Sequence, residues 1–213
     1  MSRYQSDDEQ IDAIKSWWKK NGTSLLTGIL IVVATASGWR YWQNSQFVEK
    51  ANASATFEML QVSEAQGSFG DVAREALKLM NESPKSPYAS AAALLHAKYS
   101  LQKGDQEEAT ANLQWVVDHA PDVELKAVAQ MRMTRLLSQQ GQFDDALQML
   151  ETIKVPTNAL AMVAERSYLK GLIMLSKANL DEARMAFQAV VDNPETDENL
   201  RGLAGIQLAD LAQ

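Results

Sequence analysis

Gly104-Asp105-Gln106-Glu107-Glu108-Ala109 is the stretch on which the fold turns, because it returns twice. Gly141-Gln142-Phe143-Asp144-Asp145-Ala146 repeats it, and Ala178-Asn179-Leu180-Asp181-Glu182-Ala183 repeats it again. The alanines at 109, 146 and 183 stand at an even step of 37 residues, and four residues after each comes a larger apolar side chain: Leu113, Leu150 and Phe187. Prolines at 84, 121, 156 and 194 close the units at nearly the same period. Each copy reads as the end of one helix and the start of the next. Glycine tolerates the left-handed φ that terminates a helix, and paired acids suit the positive end of the following helix. The small alanine lets two helices approach, and the larger residue one turn later fills the neighbouring groove. Such a period predicts stacked helical hairpins, each burying its apolar face only against the next.

Outward from this repeat, the remaining sequence is also helical. Ser86 followed by Pro87 is a cap with proline in the first turn, opening a helix that runs to about Lys103. Asp105-Gln106-Glu107-Glu108 has the form of a capping box, with Asp in place of Ser or Thr. Residues 47–83 form a weaker unit, with a turn at Gly67-Ser68-Phe69-Gly70 and then a helix carrying Val72, Ala73, Ala76, Leu77 and Met80 on one face. A last helix is expected near Asp197 to Leu211. Ala, Leu, Gln and Glu dominate, and Gly and Pro are scarce, so the composition is all-α.

The N-terminal segment has a different chemistry. From Asn21 to Trp39 there is no charged residue. A helix of about 20 mostly apolar residues crosses a bilayer. Trp17 and Trp18 precede the run, and Trp39, Tyr41 and Trp42 follow it. Trp18 and Trp39 would lie about 32 Å apart on a helix, close to the hydrocarbon thickness, and such rings favour the headgroup zone. The expectation is an all-α chain in three parts: a tail over 1–22, a transmembrane helix over 23–43 and a helical-hairpin domain over 44–213. Residues 1–10 read as a disordered polar end, and Ile11 to Lys20 as a short amphipathic lead-in at the interface. Ala34-Thr35-Ala36 resembles a cleavage site, but Asp7, Asp8, Glu9 and Asp12 are unlike a short basic leader. Lys15, Lys19 and Lys20 before the run, against Arg40 and Lys50 after it, place the N-terminus in the cytoplasm and the large part outside. The absence of cysteine fits an oxidising compartment.

Of the 20 Lys/Arg and 27 Asp/Glu, five and four fall within residues 1–43, which leaves the remainder with 15 basic and 23 acidic residues and a net charge of −8. Such a domain is unsuited to nucleic acid, because phosphate contact needs a basic face. There is no cysteine nucleophile, phosphate loop or dinucleotide fingerprint. The two histidines, His96 and His119, stand far apart and read as surface or dipole-facing residues, so no metal, cofactor or catalytic set is expected. The recurring acidic pairs are expected to cap helices, and most of Met131, Met133, Met149, Met162, Met174 and Met185 to lie in the core.

The repeat resembles the tetratricopeptide repeat: Gly-x-x-x-x-Ala at the turn, a large residue four on, and proline twelve beyond the alanine, as from Ala109 to Pro121. Gly171 occupies the small position of the third unit's first helix. Ala178 replaces the turn glycine, Thr134 stands at the small position of the second unit, and Pro156 comes two residues early. Carrying that repeat's groove positions over implies a partner-binding face with Leu94 and Lys98, Met131 and Arg135, and Tyr168 and Leu172, suited to an extended, partly acidic or unfolded segment.

The two halves together resemble the YfgM family, the ancillary subunit of the SecYEG translocon. The residues that carry this are Ile14-Lys15-Ser16-Trp17-Trp18, Asn21-Gly22 and Gly38-Trp39-Arg40-Tyr41-Trp42, with Leu125-Lys126-Ala127, Arg132, Arg135 and Glu151-Thr152-Ile153-Lys154 in the repeats. The resemblance implies a single-pass protein of the bacterial inner membrane with a periplasmic repeat domain. Its implied partners are the SecYEG translocon, a PpiD-like periplasmic chaperone and unfolded secreted chains, and its implied role is to pass those chains to chaperones. The alternatives are a tethered scaffold for an envelope or cell-division complex, or a regulator of an envelope-stress response.

Overall fold

The computed structural model describes residues 3–156 and 158–212, with the side chains of 3–10 and 13 outside the description. Among these residues every regular element is a helix: α1 (Arg3–Ala65), α2 (Phe69–Glu82), α3 (Pro87–Gln102), α4 (Gln106–His119), α5 (Val123–Gln139), α6 (Phe143–Thr152), α7 (Leu160–Ser176), α8 (Leu180–Asp192) and α9 (Glu198–Asp210). They fall into two compact units, Met1–Ala51 and Asn52–Gln213.

In the first unit α1 is already helical at Arg3, so the expected disordered end is corrected for residues 3–10; residues 1 and 2 lie outside the description. No proline or glycine interrupts the backbone before Gly22. Gly22 stays within the helix, with the Trp18 ring lying over it, 3.2 Å from where a Cβ would stand. Among the described residues this is the one helix long and apolar enough to cross a membrane, with a window of mean hydropathy 1.5. Leu25, Leu26, Ile29, Leu30, Ile31, Val32 and Val33 are all exposed. A run of this kind suits hydrocarbon and not water. Two of its hydroxyls are satisfied inside the helix, as suits lipid: Thr27 Oγ1 donates to the Thr23 carbonyl at 2.8 Å, and Thr35 Oγ1 to that of Ile31. Trp17, Trp18, Trp39, Tyr41 and Trp42 are exposed at the two ends, with the Trp39 and Trp42 rings 5.2 Å apart.

In the second unit successive helices pack antiparallel-pair by pair from α2 to α9, and α3, α5, α7 and α9 also touch one another in turn. Residues 52–65 of α1 pair with α2 through a cluster containing Ala53, Leu60, Val72, Ala76 and Leu79. The turns explain the period. At Gly104 (φ +81°) the Asp105 N–H donates to the Ser100 carbonyl at 2.8 Å and the Gly104 N–H to that of Leu101 at 3.0 Å. This is the Schellman arrangement, which needs a left-handed residue after the helix. It recurs at Gly141 (φ +76°) and at Ala178 (φ +59°). It also occurs at Gly67 (φ +70°), where Ser68 bonds back to Ser63. Gly67 stands 37 residues before Gly104, so the weak first unit is in register with the rest.

The capping expectations hold in part. Ser86 accepts from the Tyr88 N–H at 3.2 Å, Asp105 from Glu108 at 2.9 Å and Asp197 from Leu200 at 3.0 Å. The second bond of the capping box is not made, because the Asp105 N–H is already committed to Ser100. The Glu108 carboxylate turns instead to Ser100 Oγ, at 2.8 Å, and lies 3.5 Å from His96 Nε2. His96 is therefore buried between α3 and α4, not on the surface as expected. His119 is exposed at the end of α4, its ring stacked on Trp115. Met131, Met133 and Met174 are buried, Met149 and Met162 half-buried, and Met185 exposed.

Candidate partner groove

The first helices of the hairpins, α3 and α5, leave a cleft of about 400 Å³ between them. Lys98, Leu101 and Gln102 line it from α3, and Arg132, Arg135 and Leu136 from α5. The spacing follows from the helix: residues three and four apart share a face. Volumes of about 300–1,000 Å³ are usual for ligand pockets. Its walls are apolar and its rim carries three cations.

Each cation has a different environment. Lys98 Nζ lies 3.1 Å from Glu64 Oε1, on the last turn of α1, and 5.6 Å from the centre of the Tyr99 ring. Arg135 Nη2 lies 3.8 Å from Glu165 Oε1, on α7. Both pairs are about half-exposed and add little stability. Arg132 Nη1 donates to the Leu94 carbonyl at 3.1 Å. Burial holds the Arg132 guanidinium below the usual arginine range; Glu165 pulls against this and Arg135 adds to it. The Tyr99 phenol, at the edge of the same region, is raised first by burial and then by Glu64.

Of the six residues expected on this face, the structure brings Lys98 and Arg135 together in the cleft. Leu94 and Met131 are buried, at 7% and 2% exposed. Leu94 packs with Ala129 and Met133, and Met131 with Leu169 and Ile173, because neighbouring first helices cover these positions. They are corrected from open anchors to packing residues. Tyr168 and Leu172, on α7, are half-buried beside the cluster of Phe187, Val190 and Ala204, with the Tyr168 ring 5.6 Å from Phe187. Sequence reasoning missed Arg132, Leu101 and Leu136 as groove residues. The signal was available for two of them: Leu101 and Arg132 lie three residues from Lys98 and Arg135 respectively. Among the described residues no group of three or more His, Cys, Asp or Glu side chains is placed to hold a metal ion.

The family described as "Tetratricopeptide repeat-like domain" matches residues 15–213. Over 196 residues the chain is 33% identical to the protein named "Ancillary SecYEG translocon subunit" in Escherichia coli (strain K12), with 92% of each chain covered. The chain belongs to the ancillary SecYEG translocon subunit family. It is 30% identical to the protein of that name in Haemophilus influenzae, covering 85% of this chain and 87% of that one. The family protein of Aggregatibacter actinomycetemcomitans is 26% identical, over 88% and 89%. No solved structure matches the chain. Family membership thus bears out the resemblance read from the membrane-exit motif and the repeats.

Proposed function

We propose that this chain is a non-enzymatic adaptor associated with the SecYEG translocon, held in the inner membrane by one helix over 23–43. The observation that carries the reading is the near full-length similarity to proteins named as ancillary translocon subunits. The exposed apolar run of α1 and its two aromatic belts support single-pass anchoring. The lysine bias before the run supports a cytoplasmic tail over 1–22 and a periplasmic domain over 44–213.

The repeat domain receives extended segments of secreted chains in the α3–α5 cleft, with Lys98 and Arg135 at its rim and the open edges of Tyr168 and Leu172 extending the face. It passes them to periplasmic chaperones, a PpiD-like chaperone among them. A groove without a catalytic set suits binding and release. Site-specific photocrosslinking tests this in intact membranes. A crosslinker at Tyr41 is expected to trap a SecYEG subunit, and one at Gln139 a secreted chain in transit. Capture of division or envelope-scaffold proteins by Tyr41, with no translocon subunit, would overturn the reading.

A further inference from the structure

The three cations of the cleft are not equivalent, and the difference selects a ligand. Lys98 and Arg135 are each met by a carboxylate, from Glu64 and Glu165. Arg132 has no ion-pair partner among the described residues; one of its N–H groups is used, by the Leu94 carbonyl. A guanidinium has five N–H donors in a planar fork that fits a carboxylate. The Arg132 head is also partly desolvated on its cleft side although the residue as a whole is exposed, and Glu165 offsets that desolvation only in part. A cation in that state gains most from an incoming anion.

We propose that the α3–α5 cleft is a subsite for one Asp or Glu side chain of an extended peptide, received by Arg132 between the apolar walls Leu101 and Leu136. This rests on the reading that the cleft receives extended segments. Glu64 and Glu165 border the site and repel a second acid close by. The preferred segment is therefore a single acidic residue flanked by apolar ones, not an acidic run. A domain with a net charge of −8 would otherwise disfavour acidic ligands, so the preference must come from this local arrangement.

Full-length protein in detergent micelles is titrated into a peptide, acetyl-Leu-Ala-Glu-Leu-Ala-amide, labelled with an uncharged dye, and binding is followed by anisotropy. The same peptide with Gln for Glu is the control. The Glu peptide is expected to bind about tenfold more tightly, the size of a charge-assisted hydrogen-bonded pair. Arg132→Gln should erase that ratio, Arg132→Lys should restore part of it, and Lys103→Gln, an exposed cation outside the cleft, should leave it unchanged. Circular dichroism confirms that each variant is folded. Equal binding of the two peptides to the unaltered protein, with both lost in Leu101→Asp, overturns the carboxylate subsite and leaves the groove standing. A ratio that survives Arg132→Gln overturns the assignment to Arg132. If a free C-terminal acid on the Gln peptide recovers the affinity, the chain end and not a side chain is the ligand, and the proposal fails. Binding of neither peptide overturns both this proposal and the groove.

Discussion

The first and last hairpins of the repeat domain solve one packing problem in opposite ways. Where two helices of a hairpin cross, positions 60 and 76 correspond to 171 and 187, three repeat steps on. The first hairpin puts the large residue on its first helix, as Leu60, and the small one on its second, as Ala76; both are fully buried in one cluster. The last puts Gly171 on the first helix and Phe187 on the second. There a Cβ on Gly171 would stand 2.6 Å from Phe187 Cε1, so the ring occupies the space a side chain would need. The middle hairpins, with Ala97 and Leu113 and with Thr134 and Leu150, lie between these extremes. Leu60 with Ala76, Ala97 with Leu113 and Gly171 with Phe187 carry nearly the same summed volume, with Thr134 and Leu150 somewhat more, as expected of interiors that pack at a fixed density. Which helix supplies that volume is free to change.

The comparison can be broken most strongly at the ring. Phe187→Ala removes the filler from a site where Gly171 offers nothing in return, and is expected to lose about 3–5 kcal/mol in the urea midpoint followed by circular dichroism. Leu60→Ala is expected to lose about 2–5 kcal/mol. Adding Ala76→Leu turns the first hairpin into the arrangement of the second. If volume alone matters, the double variant should recover at least half of the loss; no recovery would show that the side of the crossing matters too. Gly171→Ala should lose about 1–3 kcal/mol by overpacking. Phe187→Leu in the same chain should relieve it, since Ala with Leu is the pair at 97 and 113.

The smallest expected effect concerns the turns. Ala178 holds φ +59° where Gly141 holds φ +76°, and both close the same hydrogen-bonded turn. The left-handed region costs a residue with a Cβ about 1 kcal/mol. Ala178→Gly should therefore raise the thermal midpoint by the equivalent of about 1 kcal/mol, and Gly141→Ala should lower it by a similar amount. A neutral Ala178→Gly would mean that the added freedom of glycine in the unfolded chain offsets the relieved strain.

Much of this was legible in the chain because it depends on local spacing. The step from Ala109 to Ala146 to Ala183, the cap at Ser86 and the stop at Gly104 each act over a few residues. The register of the first unit was harder to see. Val72 stands where the later units have alanine, and the large and small residues at its crossing are exchanged. The groove was legible only in part. Lys98 and Arg135 were placed by the repeat spacing, whereas the burial of Leu94 and Met131 depends on how closely α3, α5 and α7 approach, which spacing within one hairpin does not encode.

Periodicity and charge along the chain alone determined the helical hairpins, the apolar run with its aromatic ends and the acidic character of the domain, since each follows from residues near one another in sequence. The tertiary structure decided which cations are paired. Glu64 and Glu165 reach Lys98 and Arg135 from helices 34 and 30 residues away, leaving Arg132 with no carboxylate at ion-pair distance among the described residues, although Glu165 is close enough to act on it. Charge pairing depends on distance in space, and only the stacking of one hairpin on the next sets those distances.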